Sequence, residues 1–169
     1  MLLEESIQQQ INMSKKELRV ALIGRQFMGV AHSNAFRNAA MWTDIPVTIK
    51  MKCVCANDKM DGLKDFASRY GWERYETDWR KVVASDDIDV VSIATPNFLH
   101  KEIAVEAAGN GKHILCEKPL ANGISEAIEM LNAVNNARVK HCCGFSYRFT
   151  PSLAFGKTIN SRRSHRKNL

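Results

Sequence analysis

The stretch 22-LIGRQFMGVAHSNAFR-37 follows the apolar run Leu18 to Ile23 and sets Gly24 and Gly29 on either side of Gln26, Phe27 and Met28. A glycine at 24 permits a tight turn out of a strand, and one at 29 lets the next helix pack close to a sheet. The helix start then offers unpaired N–H groups and a partial positive charge, which suit a pyrophosphate. In a G-x-G-x-x-G loop the middle glycine lets backbone and phosphate touch. Gln26 stands there instead and adds a side chain. Placement between strand and helix is what gives this altered loop its weight.

Three further stretches carry chemistry-bearing residues. At the end of the run Val47 to Cys55, an acidic residue would hold ribose hydroxyls. The segment 53-CVCANDK-59 has Ala56 there, with Asn57, Asp58 and Lys59 just beyond. Asp58 could reach a ribose and Lys59 a 2′-phosphate, whereas Asn57-Asp58 is equally an ordinary turn. In 94-ATPNFLHKE-102, Thr95-Pro96 ends a strand, Asn97 is placed to cap the next helix, and His100 lies in its first turn. In 115-LCEKPLA-121, Glu117 and Lys118 emerge at a strand end, and Pro119 fixes the backbone directly after the lysine. A lysine at the mouth of a nucleotide crevice can give or take a proton when burial lowers its pKa. Glu117 could orient it or contact a cofactor.

These stretches must be positioned by the elements between them. Short apolar runs at Leu18–Ile23, Val47–Cys55, Val90–Ala94, His113–Cys116 and Val139–Cys142 read as strands covered on both faces. Helical patterns run over Phe27–Ala39, Gly62–Tyr70, Trp79–Ala84, Phe98–Ala108 and Ser125–Asn136. Thr77-Asp78 is a plausible cap for the third of these, and Ser125 for the last. The alternation predicts an α/β fold, a doubly wound, mostly parallel, Rossmann-like sheet of five or six strands over residues 18–148. Residues 1–17 read as an N-terminal extension, with Met13 as a natural start. Beyond Phe155 the apolar periodicity fades.

Composition bounds the function classes. The chain has 45% apolar and 25% charged residues, as an ordinary soluble globular protein does. Neither a membrane-spanning run nor a signal peptide is visible, so a cytoplasmic protein is expected. The net charge of +6 is concentrated at the end. Lys157, Arg162, Arg163, Arg166 and Lys167 lie within 157–169, and without them 19 basic residues face 18 acidic ones. Such a tail predicts a solvated end and no specific nucleic-acid partner. The five cysteines lie in apolar runs and predict reduced, packed thiols, with no disulfide framework and no metal site.

Together these stretches resemble the glucose–fructose oxidoreductase / inositol dehydrogenase family (Gfo/Idh/MocA) of NAD(P)-dependent oxidoreductases. The carrying residues are Gly24, Met28-Gly29, His32, Ser33 to Phe36, Tyr75, Thr77-Asp78-Trp79, Thr95-Pro96-Asn97, His100 and Cys116 to Pro119, with Tyr147-Arg148 near the end. The resemblance implies that the loop with Gly24, Gln26, Phe27, Met28 and Gly29 holds the pyrophosphate of NAD or NADP. It implies that Asn57 and Asp58 lie near the ribose, and that Thr95, Pro96, Asn97 and His100 border ribose and nicotinamide. By the same resemblance Glu117 contacts the cofactor, and Lys118 is the catalytic lysine, acting on a sugar, inositol or related polyol. The family's second domain, which supplies the substrate wall and the oligomer surface, is missing from this sequence, with 149–169 as a remnant of the linker into it. That predicts a truncated or frameshifted product. As it stands, the chain is expected to be a cofactor-binding fragment without turnover.

Overall fold

The structure, a computed structural model, describes residues 16–57 and 60–150, apart from the side chains of residues 60 and 61. Six strands form one parallel sheet: β1 (Lys16–Ile23), β2 (Val47–Cys55), β3 (Arg74–Glu76), β4 (Val90–Ile93), β5 (His113–Cys116) and β6 (His141–Cys143). The spatial order is β3-β2-β1-β4-β5-β6. This is the doubly wound arrangement, in which the chain reverses its direction of travel across the sheet between β1 and β4. Five helices cover it: α1 (Phe27–Trp42), α2 (Met60–Tyr70), α3 (Trp79–Val83), α4 (His100–Gly109) and α5 (Ile124–Asn136).

The apolar runs become two-faced strands because side chains alternate across a sheet. In β1, Val20 and Leu22 pack with Leu63, Phe66 and Trp72 on one face. Ala21 and Ile23 pack with Val91, Ile103 and Val134 on the other. A bulge at Lys52, opposite the step Val20/Ala21, sends Met51 and Cys53 to opposite faces. Without it, two residues so spaced would share a face. Lys52 itself is paired with Glu73.

Several expectations from the sequence are corrected. β3 is a strand of three residues, too short and too mixed in polarity to stand out. Residue Val139 is buried but precedes its strand, because its N–H bonds the Val134 carbonyl and closes the end of α5. The helix α5 is entered through Gly123, so Ser125 lies inside the helix and is not its cap. Asn97 begins a 3-10 turn (Asn97–Leu99), and its amide donates to Asn122 Oδ1 at 2.8 Å; it caps nothing. Asp78 does cap α3, accepting from the Arg80 N–H. The linker remnant expected at 149–169, with its basic end, lies outside the described residues from 151 onward.

Arg138, just past α5, has φ 55°, where α2 and α4 place Gly71 and Gly111 at the matching position. A side chain costs roughly 1–2 kcal/mol in this conformation, offset in part by the entropy that glycine loses on folding. Arg138→Gly is therefore expected to stabilise the chain by about 0.5–1 kcal/mol, read as a higher urea midpoint with an unchanged m-value.

Candidate functional site

The site grows from the step where β1 ends. Gly24 has φ +107°, and a Cβ built there would stand 2.4 Å from the Ala94 carbonyl oxygen and 2.9 Å from the Thr95 nitrogen. Only a residue without a side chain lets the turn after β1 lie against the turn after β4. One turn later, a Cβ at Gly29 would meet the Gly24 carbonyl at 2.3 Å, so α1 is also seated on that turn. The start of α1 is further anchored from below. Ser33 Oγ donates to the Gly29 carbonyl, and Trp72 Nε1 donates to Ser33 Oγ at 3.0 Å.

A cleft of about 440 Å³ opens over this junction, lined by Gly24, Gln26, Phe27, Met28, Asn57, Thr95 and Pro96 among others. It lies at the carboxyl ends of β1 and β4, where open α/β sheets take their ligands. Gln26 precedes α1 with φ −72°, an ordinary value for a residue with a side chain, and that side chain caps nothing. No acidic residue occupies the first turn of α1, so the positive end of the helix is not neutralised there. Across the cleft, Thr95 Oγ1 is buried without a hydrogen-bond partner, alone in this among the described residues. A glycine cradle, a bare helix N-terminus and an orphaned hydroxyl fit a dinucleotide. Cys55 lies along the cleft, and burial pushes its thiol up to about 12, so it is no nucleophile. Burial does the same to Cys116, while Cys142, expected to be packed, is exposed on β6. Among the described residues, no group of side chains could hold a metal ion, and no helix is long and apolar enough to cross a membrane.

Gly29, Asn97, His100, Glu117 and Lys118 are not part of the cleft lining. Asp58 lies outside the described residues. His100 is 1% exposed, and its ring nitrogens reach the Pro119 carbonyl at 3.0 Å and the Thr95 carbonyl at 2.9 Å. Both partners are carbonyl acceptors, so a neutral ring donates to one of them and lies against the other, between the two loops. Glu117 is buried too. Its Oε1 meets His32 Nε2 at 3.0 Å, and its Oε2 accepts from the Lys118 N–H at 3.1 Å. The Lys118 side chain is exposed, so the burial envisaged for a proton-transferring lysine is not supplied by the described residues.

Around Glu117 lie His32, which the family resemblance already singled out, and Ser92 and Gly144, which no motif reading did. His32 on α1 joins Ser92 Oγ at 2.7 Å and Glu117, and Ser92 lies within β4. A Cβ at Gly144 would stand 2.5 Å from Glu117 Oε1, so a side chain there would displace the carboxylate from its present place. The array Ser92–His32–Glu117 has the residue types of a hydrolytic triad, but Ser92 is 0% exposed and cannot meet a substrate. Ser92 had left one trace, a hydroxyl in an otherwise apolar strand, since buried polar side chains are seldom without purpose.

The comparisons with known proteins agree with this geometry. A family model described as "Oxidoreductase family, NAD-binding Rossmann fold" (GFO_IDH_MocA) matches residues 18–145. Levoglucosan dehydrogenase of Pseudarthrobacter phenanthrenivorans is 42% identical over 142 residues, covering 84% of this chain and 36% of the relative. The NAD(+)-dependent scyllo-inositol 2-dehydrogenase of Bacillus subtilis is 31% identical over 142 residues, covering 83% and 39%. Among solved structures, levoglucosan dehydrogenase in complex with NADH and levoglucosan superposes with a TM-score of 0.83 at 40% identity, over 87% of this chain and 40% of that one. An oxidoreductase domain protein from Kribbella flavida gives 0.83 at 38%, with the same coverage. The chain thus spans about two fifths of the length of these relatives.

The junction itself is testable without a ligand. Gly24→Ala puts a methyl group into the Ala94 carbonyl at a left-handed backbone position and is expected to cost about 3 kcal/mol, from backbone strain plus overpacking. Chemical denaturation measures it; a loss below about 1 kcal/mol contradicts the close approach.

Proposed function

This chain belongs to the Gfo/Idh/MocA oxidoreductase family through its NAD-binding Rossmann domain, and on that footing we propose that it serves hydride transfer between the hydroxyl-bearing carbon of a sugar, inositol or related polyol and a nicotinamide cofactor. The observation that carries the reading is the cleft at the β1/β4 junction, with the start of α1 on one side and the orphaned Thr95 hydroxyl on the other. The substrate class rests on the similarity to levoglucosan and scyllo-inositol dehydrogenases.

The roles divide by position. The turn at Gly24 and the N–H groups that open α1 hold the pyrophosphate, with Gln26 at its side. Thr95 supplies a hydroxyl toward ribose or nicotinamide, and Asn57 stands at the end of β2, toward the adenosine ribose. A nicotinamide held there would supply the hydride acceptor for the hydroxyl-bearing carbon, which would become a carbonyl. Lys118 Nζ takes the hydroxyl proton in that direction and returns it in the reverse one.

A second reading, cofactor binding without turnover by these 169 residues alone, is favoured by the exposure of Lys118. Proton transfer demands a substrate held in near-attack geometry, and an exposed lysine holds none.

Titration with NADH and with NADPH separates the readings. Trp79 lines the cleft, so either cofactor is expected to quench tryptophan emission, and Trp79→Phe to remove most of the response. A flat titration to millimolar cofactor sinks both readings, while binding without oxidation of any polyol tried selects the second. Gln26→Gly is expected to tighten binding several-fold by relieving crowding at the phosphates; unchanged binding rejects a steric role for Gln26. Lys118→Ala is expected to abolish any turnover with the fold intact, checked by steady-state rates.

A further inference from the structure

Lys118 is flanked by two residues that histidines contact, His32 half-buried and His100 buried. On its N-terminal side, Glu117 receives His32 Nε2 at 3.0 Å while its other oxygen takes the N–H of Lys118 itself. On its C-terminal side, the Pro119 carbonyl receives His100 Nδ1 at 3.0 Å. The two rings come from different helices, α1 and α4, which start beside the cleft.

We propose that His32, backed by Ser92, is a positioning residue that fixes the Glu117 carboxylate and through it the placement of Lys118. This rests on the reading of Lys118 as the proton-transferring lysine, and it concerns how that lysine is held. The Glu117 carboxylate can only accept, so His32 Nε2 carries the hydrogen. With Nε2 donating, Nδ1 accepts the Ser92 hydroxyl hydrogen at 2.7 Å. Ser92 is fixed within β4, so the chain of contacts runs from the sheet to the lysine backbone with every polar atom satisfied. Packing leaves little slack. The Phe36 ring meets His32 edge-on with centroids 6.3 Å apart, and Glu117 Oε1 lies close against the backbone of Gly144, where an added Cβ would stand 2.5 Å from it. A buried carboxylate with one oxygen on the ring and one on the lysine N–H has few other places to point.

The same residues account for a coupling between the two halves of the site. His32 belongs to the helix whose N-terminus faces the pyrophosphate cleft, so the segment that holds the cofactor end also holds the lysine loop. The His100 ring lies between the Pro119 and Thr95 carbonyls, at the loops after β5 and β4.

The test uses the cofactor-free chain, with lysines converted to ¹³C-dimethyl-lysine and the Lys118 signal identified by its loss in Lys118→Arg. His32→Ala is expected to shift or broaden the Lys118 signal more than any other lysine signal, and Glu117→Ala to do the same. The double variant should add nothing to either, because both act through one contact. His32→Gln, which keeps an N–H toward Glu117, should return the signal most of the way. An unmoved Lys118 signal in folded His32→Ala overturns the proposal, as does full additivity in the double variant. Should His32→Ala fail to fold, Ser92→Ala replaces it, and an unmoved signal there overturns the proposal equally. A parent chain that binds no NADH but whose Lys118 signal responds would retire the oxidoreductase reading and leave the positioning role standing.

Discussion

The approach of one backbone turn to another at Gly24 is the constraint on which the site depends. β1 and β4 are neighbours in the sheet, and each ends in a turn above it. These turns can touch only because position 24 has no side chain and sits at φ +107°. From this contact follow the depth of the cleft, the seat of α1 and the placing of Thr95. A methyl group at 24 would force the turns apart and with them both walls of the cofactor site.

A parallel sheet covered on both faces is an apolar place, and polar side chains inside it need partners. Ser92, His32, Glu117 and His100 meet that demand by bonding one another or the backbone of the loops that follow β4 and β5. The buried polar groups thus lie where three chain segments must keep a fixed spacing. Thr95 Oγ1 is the exception among the described residues, a hydroxyl without a partner in a residue that lines the cleft. Away from the site, Arg19 with Asp89 and Arg74 with Asp87 tie the opposite end of the sheet, where hydrogen bonds to the guanidinium groups hold both carboxyls below their usual range.

Membership of an oxidoreductase family and a span of about two fifths of its relatives' length set the terms for function. The NAD-binding Rossmann domain is present, with its cleft at the junction of β1 and β4. Lys118 is exposed after β5, and Phe145, Tyr147 and Phe149 are exposed near the end of the described residues.

Much of this was legible in the sequence because two periodicities and a few turn residues sufficed. Alternating apolar runs and amphipathic stretches determined a doubly wound sheet, with the limits of β2 and β5 matched to the residue. Gly24, Thr95 and Lys118 each followed a strand, so they had to share one edge of it. What only the tertiary structure decided was which side chains meet. The spacing of His32, Ser92, Glu117 and Gly144 in the chain carries no period, and their contact exists because β1, β4, β5 and β6 lie side by side with α1 across them. The bulge at Lys52 and the left-handed Arg138 were equally hidden, since each is settled by pairing and packing with distant residues rather than by local preference. Sequence determines the elements through short-range sterics and burial; the site's working geometry is a long-range property, and only folding brings its parts within hydrogen-bond reach.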